Sequence, residues 1–103
     1  MPHSYTQLLY HIMFSTKERR PTLNADIRPR VHQYLGGAIR DEGGTALLVN
    51  GIEDHVHILA HLRQDKAISD VLRSIKANSS GWIHRTFPDR ELFAGRAVMA
   101  RSP

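Results

Sequence analysis

A chain of 103 residues has room for one small domain and no second core. The absence of cysteine excludes disulfides and thiolate ligands, so any metal is held by nitrogen and oxygen. No apolar run approaches the ~20 residues of a membrane span, and Tyr10–Phe14, broken by His11, is too short for a signal peptide, so a cytoplasmic protein is expected. The 14 Lys and Arg outnumber the 10 Asp and Glu, and a formal charge of +4 suits a polyanionic partner.

The first predicted element is a strand over Tyr5–Thr16. Tyr10, Ile12 and Phe14 alternate with Leu9, His11 and Met13, and since both sets are largely apolar, a central strand covered on both faces is expected. Lys17-Glu18-Arg19-Arg20-Pro21 follows as a charged turn, and Lys17, Arg19 and Arg20 are candidates for a phosphate clamp beside the sheet. From Asp26, a suitable N-cap, to Asp41, the residues Ile27, Val31, Tyr34, Leu35 and Ile39 fall at helical spacing. Pro29 is tolerated in the first turn, and Gly43-Gly44 ends the helix. Thr45–Ile52 reads as a second strand, joined through Asn50-Gly51 to Asp54 in a hairpin with a third.

That third strand lies in Gly51–Leu62. Alternation puts Val56, Ile58, Ala60 and Leu62 on one face and His55, His57, Leu59 and His61 on the other. His55 and His57 therefore project in parallel, near enough to share one metal ion. Two imidazoles are half a metal site. Asp54 or Glu53 adds an oxygen only if the turn into the strand bends back. Beyond Arg63–Lys66, Ser69 can cap a second helix with Ile68, Val71, Leu72, Ile75, Trp82 and Ile83 on its apolar stripe, ending at Phe87-Pro88. Gly81 inside it points to a bend or a close contact. Its other face presents Arg73, Lys76, Asn78 and Ser79 to a sugar-phosphate backbone.

The order strand, helix, strand, strand, helix is most of an α+β ferredoxin-like βαββαβ sandwich, an antiparallel sheet with two helices on one face. Glu91–Pro103 has neither alternation nor a helical stripe, so the last strand is expected to be missing, with a domain at 1–92 and a tail at 93–103. Without that strand the first becomes an unpaired apolar edge, which invites a second chain and predicts a homodimer.

Three of these segments, SYTQLLYHIMFSTKERRP, GIEDHVHIL and DVLRSIKANSSGWIH with its following FP, together resemble the single-tyrosine HUH transposases of insertion sequences. The resemblance runs from about Ser4 to Ala94 in the family's order. It implies a dimer that binds single-stranded DNA hairpins and a divalent cation, magnesium or manganese, at His55 and His57. It also implies a tyrosine hydroxyl that attacks a phosphodiester and becomes a 5′-phosphotyrosine. In the family that tyrosine, and a third metal ligand about one turn later, come from a late C-terminal catalytic helix. Tyr5, Tyr10 and Tyr34 match no such position, so no catalytic residue is assigned, the helix is expected to be missing, and metal binding is expected to be weakened. The family's fourth strand, F-A-W-Q-x-G-Y-G-A-F, is here replaced by Phe93–Pro103. The codons available to Gly95–Pro103, read one base earlier, can spell Trp-Gln-Gly-Gly-Tyr-Gly-Ala-Phe, which implies a frameshift near Ala94. Two rival readings are a non-catalytic nucleic-acid-binding module, either a domesticated hairpin binder or an RRM-like RNA binder with stacking aromatics on its sheet, and a plain metal-binding structural protein.

Overall fold

Alternating apolar residues in β1, Gln7–Ser15, and β3, His55–Arg63, build the centre of the fold. The two strands pair antiparallel along their whole length, from Gln7 opposite Arg63 to Ser15 opposite His55. Strand β2, Thr45–Ile52, lies beyond β3, and β4, Ala97–Arg101, lies beyond β1, giving a four-stranded antiparallel sheet in the order β2-β3-β1-β4. The computed structural model describes residues 7–88 and 97–101.

One face of the sheet buries Tyr10, Ile12 and Phe14 from β1 with Val56, Ile58, Ala60 and Leu62 from β3. Helices α1, Arg28–Asp41, and α2, Ile68–Thr86, lie over that face and add Val31, Leu35, Ala38, Ile39, Val71, Ile75 and Ile83 to the same core. Full burial of each Val, Leu, Ile or Phe contributes about 1.5–3 kcal/mol, so this single layer supplies most of the driving force. The α+β, ferredoxin-like arrangement is the one the element order predicts. Among the described residues no helix is long and apolar enough to cross a membrane.

Several expectations are corrected. The last strand is present, because residues 97–101 pair with β1, Ala97 opposite Phe14 and Arg101 opposite Tyr10. Pairing is made by backbone N–H and C=O groups, so five residues without proline can take a strand's place without apolar alternation. It follows that β1 is central and not an unpaired edge; the edges are β2 and β4. Nor is β1 covered on both faces by the described residues, since His11 is exposed on the side away from the helices. The helix starts also differ. Ile27 precedes α1 and Ala67 precedes α2, neither with a side-chain cap, and the Asn24 carbonyl accepts from the Arg28 N–H where Asp26 was expected to cap. Helix α2 runs through Gly81, whose missing Cβ leaves room for the Arg85 guanidinium.

Helix α1 also holds a histidine in an awkward place. The Nε2 of His32 is buried without a hydrogen-bond partner among the described residues. Burial first, and the charge of Arg28 second, hold its pKa below the ordinary 6.5. A folded state that resists this proton loses stability as pH falls below 6.5, where the unfolded chain takes the proton, and the loss levels off only below the folded pKa. Thermal unfolding followed between pH 7 and pH 5 should show this decline, and His32→Gln should flatten it.

Candidate functional site

The β2–β3 turn sets the first histidine. Its tightness depends on Gly51, where a Cβ would run into the His55 carbonyl and the backbone of Val56. Just after the turn, His55 and His57 leave β3 on the face away from the helices, opposite Ser15 and Met13 of β1. Their rings stand edge to face with centroids 4.6 Å apart. The Nδ1 of His55 lies 2.7 Å from Asp54 Oδ1. An ionised carboxylate can only accept, so Nδ1 carries the proton of this bond, and in the neutral form of the ring Nε2 is the nitrogen with the lone pair. His57 is exposed.

The turn does not bring Asp54 round as a ligand. Its Oδ1 is engaged by His55 and its Oδ2 by Arg19 Nε at 3.3 Å, so it supports the imidazole from behind. The His55 hydrogen bond is the main cause that holds the Asp54 carboxyl below the usual 3.8, with burial opposing and the Arg19 charge assisting. Glu53 contributes its carbonyl, which accepts from the Leu23 N–H at 2.9 Å. Among the described residues no three His, Cys, Asp or Glu side chains gather as a metal-binding group. The donor set fits half of a nitrogen-rich site and requires a further ligand.

The charged turn after β1 is stitched to this place. The Thr16 N–H donates to the Asp54 carbonyl at 2.9 Å, and its hydroxyl donates to the Arg20 carbonyl at 2.6 Å. Between them Glu18 and Arg19 both adopt the left-handed conformation, with φ of 55° and 54°. Non-glycine residues there cost roughly 1–2 kcal/mol each, and such strain persists only where surrounding contacts enforce it. The consequence is a short 3-10 turn, Lys17–Arg19, that holds Lys17, Arg19 and Arg20 exposed at the end of the sheet where β3 begins. Arg20 meets Glu18 at 2.7 Å.

The other predicted cations are elsewhere. Arg73, paired with Asp70 at 3.0 Å, and half-buried Lys76 lie on α2, which covers the opposite face of the sheet. The five candidate DNA-binding residues therefore form two separate groups, and only Lys17, Arg19 and Arg20 adjoin the histidines. Tyr10 points into the core, and Tyr34 stacks on Trp82 in the helical layer, so neither lies on the histidine side. Tyr5 is outside the described residues. The open face carries Leu9, His11, Met13, Leu48, Ile52, His57 and Leu59, with no aromatic platform of the RRM kind among them. Reading the sequence missed the Asp54 clamp and the left-handed turn; the adjacency of Asp54 and His55 was the available signal.

Comparison with known proteins adds three findings. The family described as "Transposase IS200 like" matches residues 4–102. Among solved structures, a protein from Deinococcus radiodurans R1 described as a transposase superposes with a TM-score of 0.89 at 19% identity, covering 100% of this chain and 85% of that one. A REP-associated tyrosine transposase bound to a REP hairpin superposes with a TM-score of 0.68 at 14% identity, again over 100% of this chain, which spans 61% of that protein. At these identities the two structures show the shared fold. No curated protein sequence matches the chain.

The Asp54 clamp can be tested without any ligand. Nitrogen-15 spectra of the parent should show a single neutral tautomer for His55, protonated at Nδ1. Asp54→Ala should produce a mixture of the two tautomers while the fold, read by backbone amide shifts, stays intact.

Proposed function

The chain belongs to the IS200-like transposase family, and on that premise we propose that it serves DNA transposition by binding single-stranded DNA hairpins. The observation that supports this best is the joining of three exposed cations to the histidine pair through one stitched turn. The hairpin-bound neighbour supports the form of the DNA. Lys17, Arg19 and Arg20 take phosphates, and a phosphate can replace the Asp54 or Glu18 carboxylate as an arginine's partner. Arg73 and Lys76 offer a weaker contact from the helical layer. The half-exposed Leu48 and Ile52 beside the histidines suit burial against a second copy, which keeps the homodimer in this reading. DNA as substrate suits a cytoplasmic setting.

His55 and His57 would hold a divalent cation through ring nitrogens, with Asp54 fixing the His55 ring. When bound, the cation supplies polarisation of phosphate oxygens. A nitrogen pair favours manganese, nickel or zinc over magnesium, which prefers an octahedron of oxygens. The attacking hydroxyl of the reaction is neither Tyr10, buried in the core, nor Tyr34, stacked in the helical layer. In this reading the 103 residues bind DNA without cutting it.

Three measurements check the proposal. Affinity for a DNA hairpin should fall steeply with salt, and Arg19→Ala with Arg20→Ala should reduce the slope of log K against log[salt] by about 1.4, two single-strand contacts at ~0.7 each. Manganese binding followed calorimetrically should be lost in His55→Ala/His57→Ala and retained in Arg73→Ala. A labelled hairpin incubated with the chain and manganese should remain uncut on a denaturing gel, and a covalent protein–DNA product would overturn the assignment of the tyrosines.

A further inference from the structure

Two shallow clefts open along the outward side of α1, and they share Gln33. One, of about 250 Å³, is lined by Arg30, Gln33, Tyr34 and Trp82. The other, of about 360 Å³, lies between Gln33, Gly36, Gly37 and Arg40 of the helix and the first residues of β2. Arg30, Gln33, Gly37 and Arg40 recur at intervals of three and four residues, so they form one line along the helix, about 15 Å from end to end. The buried residues of α1, Val31, Leu35, Ala38 and Ile39, point away from it.

At the Arg30 end the line meets aromatic rings. Tyr34 and Trp82 stack with centroids 4.5 Å apart and planes 12° apart. The Arg30 guanidinium lies 5.9 Å from the Trp82 ring centre and 5.2 Å from that of Phe87. These contacts also help to join α1 to α2, so alone they require no ligand.

The glycines are different. Glycine inside a helix is destabilising relative to alanine, and nothing among the described residues asks for it at either position. Among the described residues a Cβ on Gly36 would meet nothing within 4 Å, and one on Gly37 would meet only an Arg40 nitrogen at 4.0 Å. The room they leave is on the outside, beside an arginine at each end, and neither Arg30 nor Arg40 has a carboxylate partner among the described residues. An antiparallel second copy of α1 laid along this line would set arginine against arginine. A phosphodiester chain would meet a cation at both ends and find space to approach the helix backbone between them.

Resting on the reading that the chain binds single-stranded DNA, we propose that the outward side of α1 is a second DNA-binding track, separate from the histidine face. An unpaired nucleobase enters the Arg30, Gln33, Tyr34 and Trp82 cleft, where it lies against aromatic surface and its edge meets the Gln33 amide. The adjoining sugar-phosphate chain passes over Gly36 and Gly37 to Arg40. Stacking of this kind tolerates any base, while the guanidinium groups set the charge.

Trp82 is the sole tryptophan of the chain, so its emission reports on this cleft alone. The probes are a fluorescein-labelled oligothymidine and an abasic oligonucleotide of the same length, with anisotropy and tryptophan emission recorded together. Oligothymidine should raise the anisotropy and quench Trp82, whereas the abasic strand should bind with little quenching. Arg30→Ala with Arg40→Ala should lower the salt slope by about 1.4. Gly36→Ala with Gly37→Ala should raise the melting temperature and yet weaken oligothymidine binding several-fold, a pairing that a purely structural role for the glycines does not produce. Binding without quenching, or unchanged affinity in the glycine variant, overturns the track and leaves DNA binding at the other face standing. If the glycine variant instead disrupts a concentration-dependent dimer at unchanged DNA affinity, the surface belongs to self-association and the proposal falls. Absence of any anisotropy change with oligothymidine overturns the track, whereas the hairpin reading falls only if the hairpin titration also fails.

Discussion

Nine consecutive residues of β1 face nine of β3 without a bulge, and this one pairing fixes both faces of the sheet. It sends Tyr10, Ile12, Phe14, Val56, Ile58, Ala60 and Leu62 under the helices, and by the same alternation it sends His55 and His57 to the open side. A slip by one residue would exchange the two sets, placing imidazoles in the core and aliphatic side chains in water. The burial energy that holds the fold is therefore also what keeps both histidines on the open face. Strand β2 tolerates an irregularity between Ala46 and Leu48, at its edge position, because its register is less constrained by burial.

The second level of organisation is the knot between the Thr16–Arg20 turn and the β2–β3 turn. Thr16, buried at the end of β1, reaches both the Arg20 and Asp54 carbonyls, and Asp54 in turn reaches Arg19 and His55. One cation and one imidazole, Arg19 and His55, from segments 35 or more positions apart in sequence thus share one carboxylate. A change in the partner of Arg19 is felt at His55 through a single side chain. The left-handed Glu18 and Arg19 are the conformational cost of that arrangement, enforced by main-chain hydrogen bonds on either side.

Much of this was legible in the sequence. Alternation in Tyr10–Phe14 and Val56–Leu62 and the helical spacing of Val31, Leu35 and Ile39 suffice for the element order, because burial is periodic in exactly those residues. Helix starts were less legible, since Asp26 and Ser69 have capping chemistry but the backbone begins each helix elsewhere. The basic residues were legible as charges and illegible as a surface. Only the topology reveals that Arg73 and Lys76 sit across the sheet from Arg19 and Arg20. Gly36 and Gly37 read as unremarkable helix residues until their outward, unoccupied side is seen.

Strand β4 has a wider implication. It lies beside β1 in an antiparallel ladder, and such ladders are made by main-chain groups. Such a berth is permissive to rewriting: the segment that occupies it can change its residues wholesale and still complete the sheet, provided that it avoids proline and stays extended. The core and the histidine face are built from β1, β3 and the two helices, so a change of residues in β4 that keeps it extended leaves both in place.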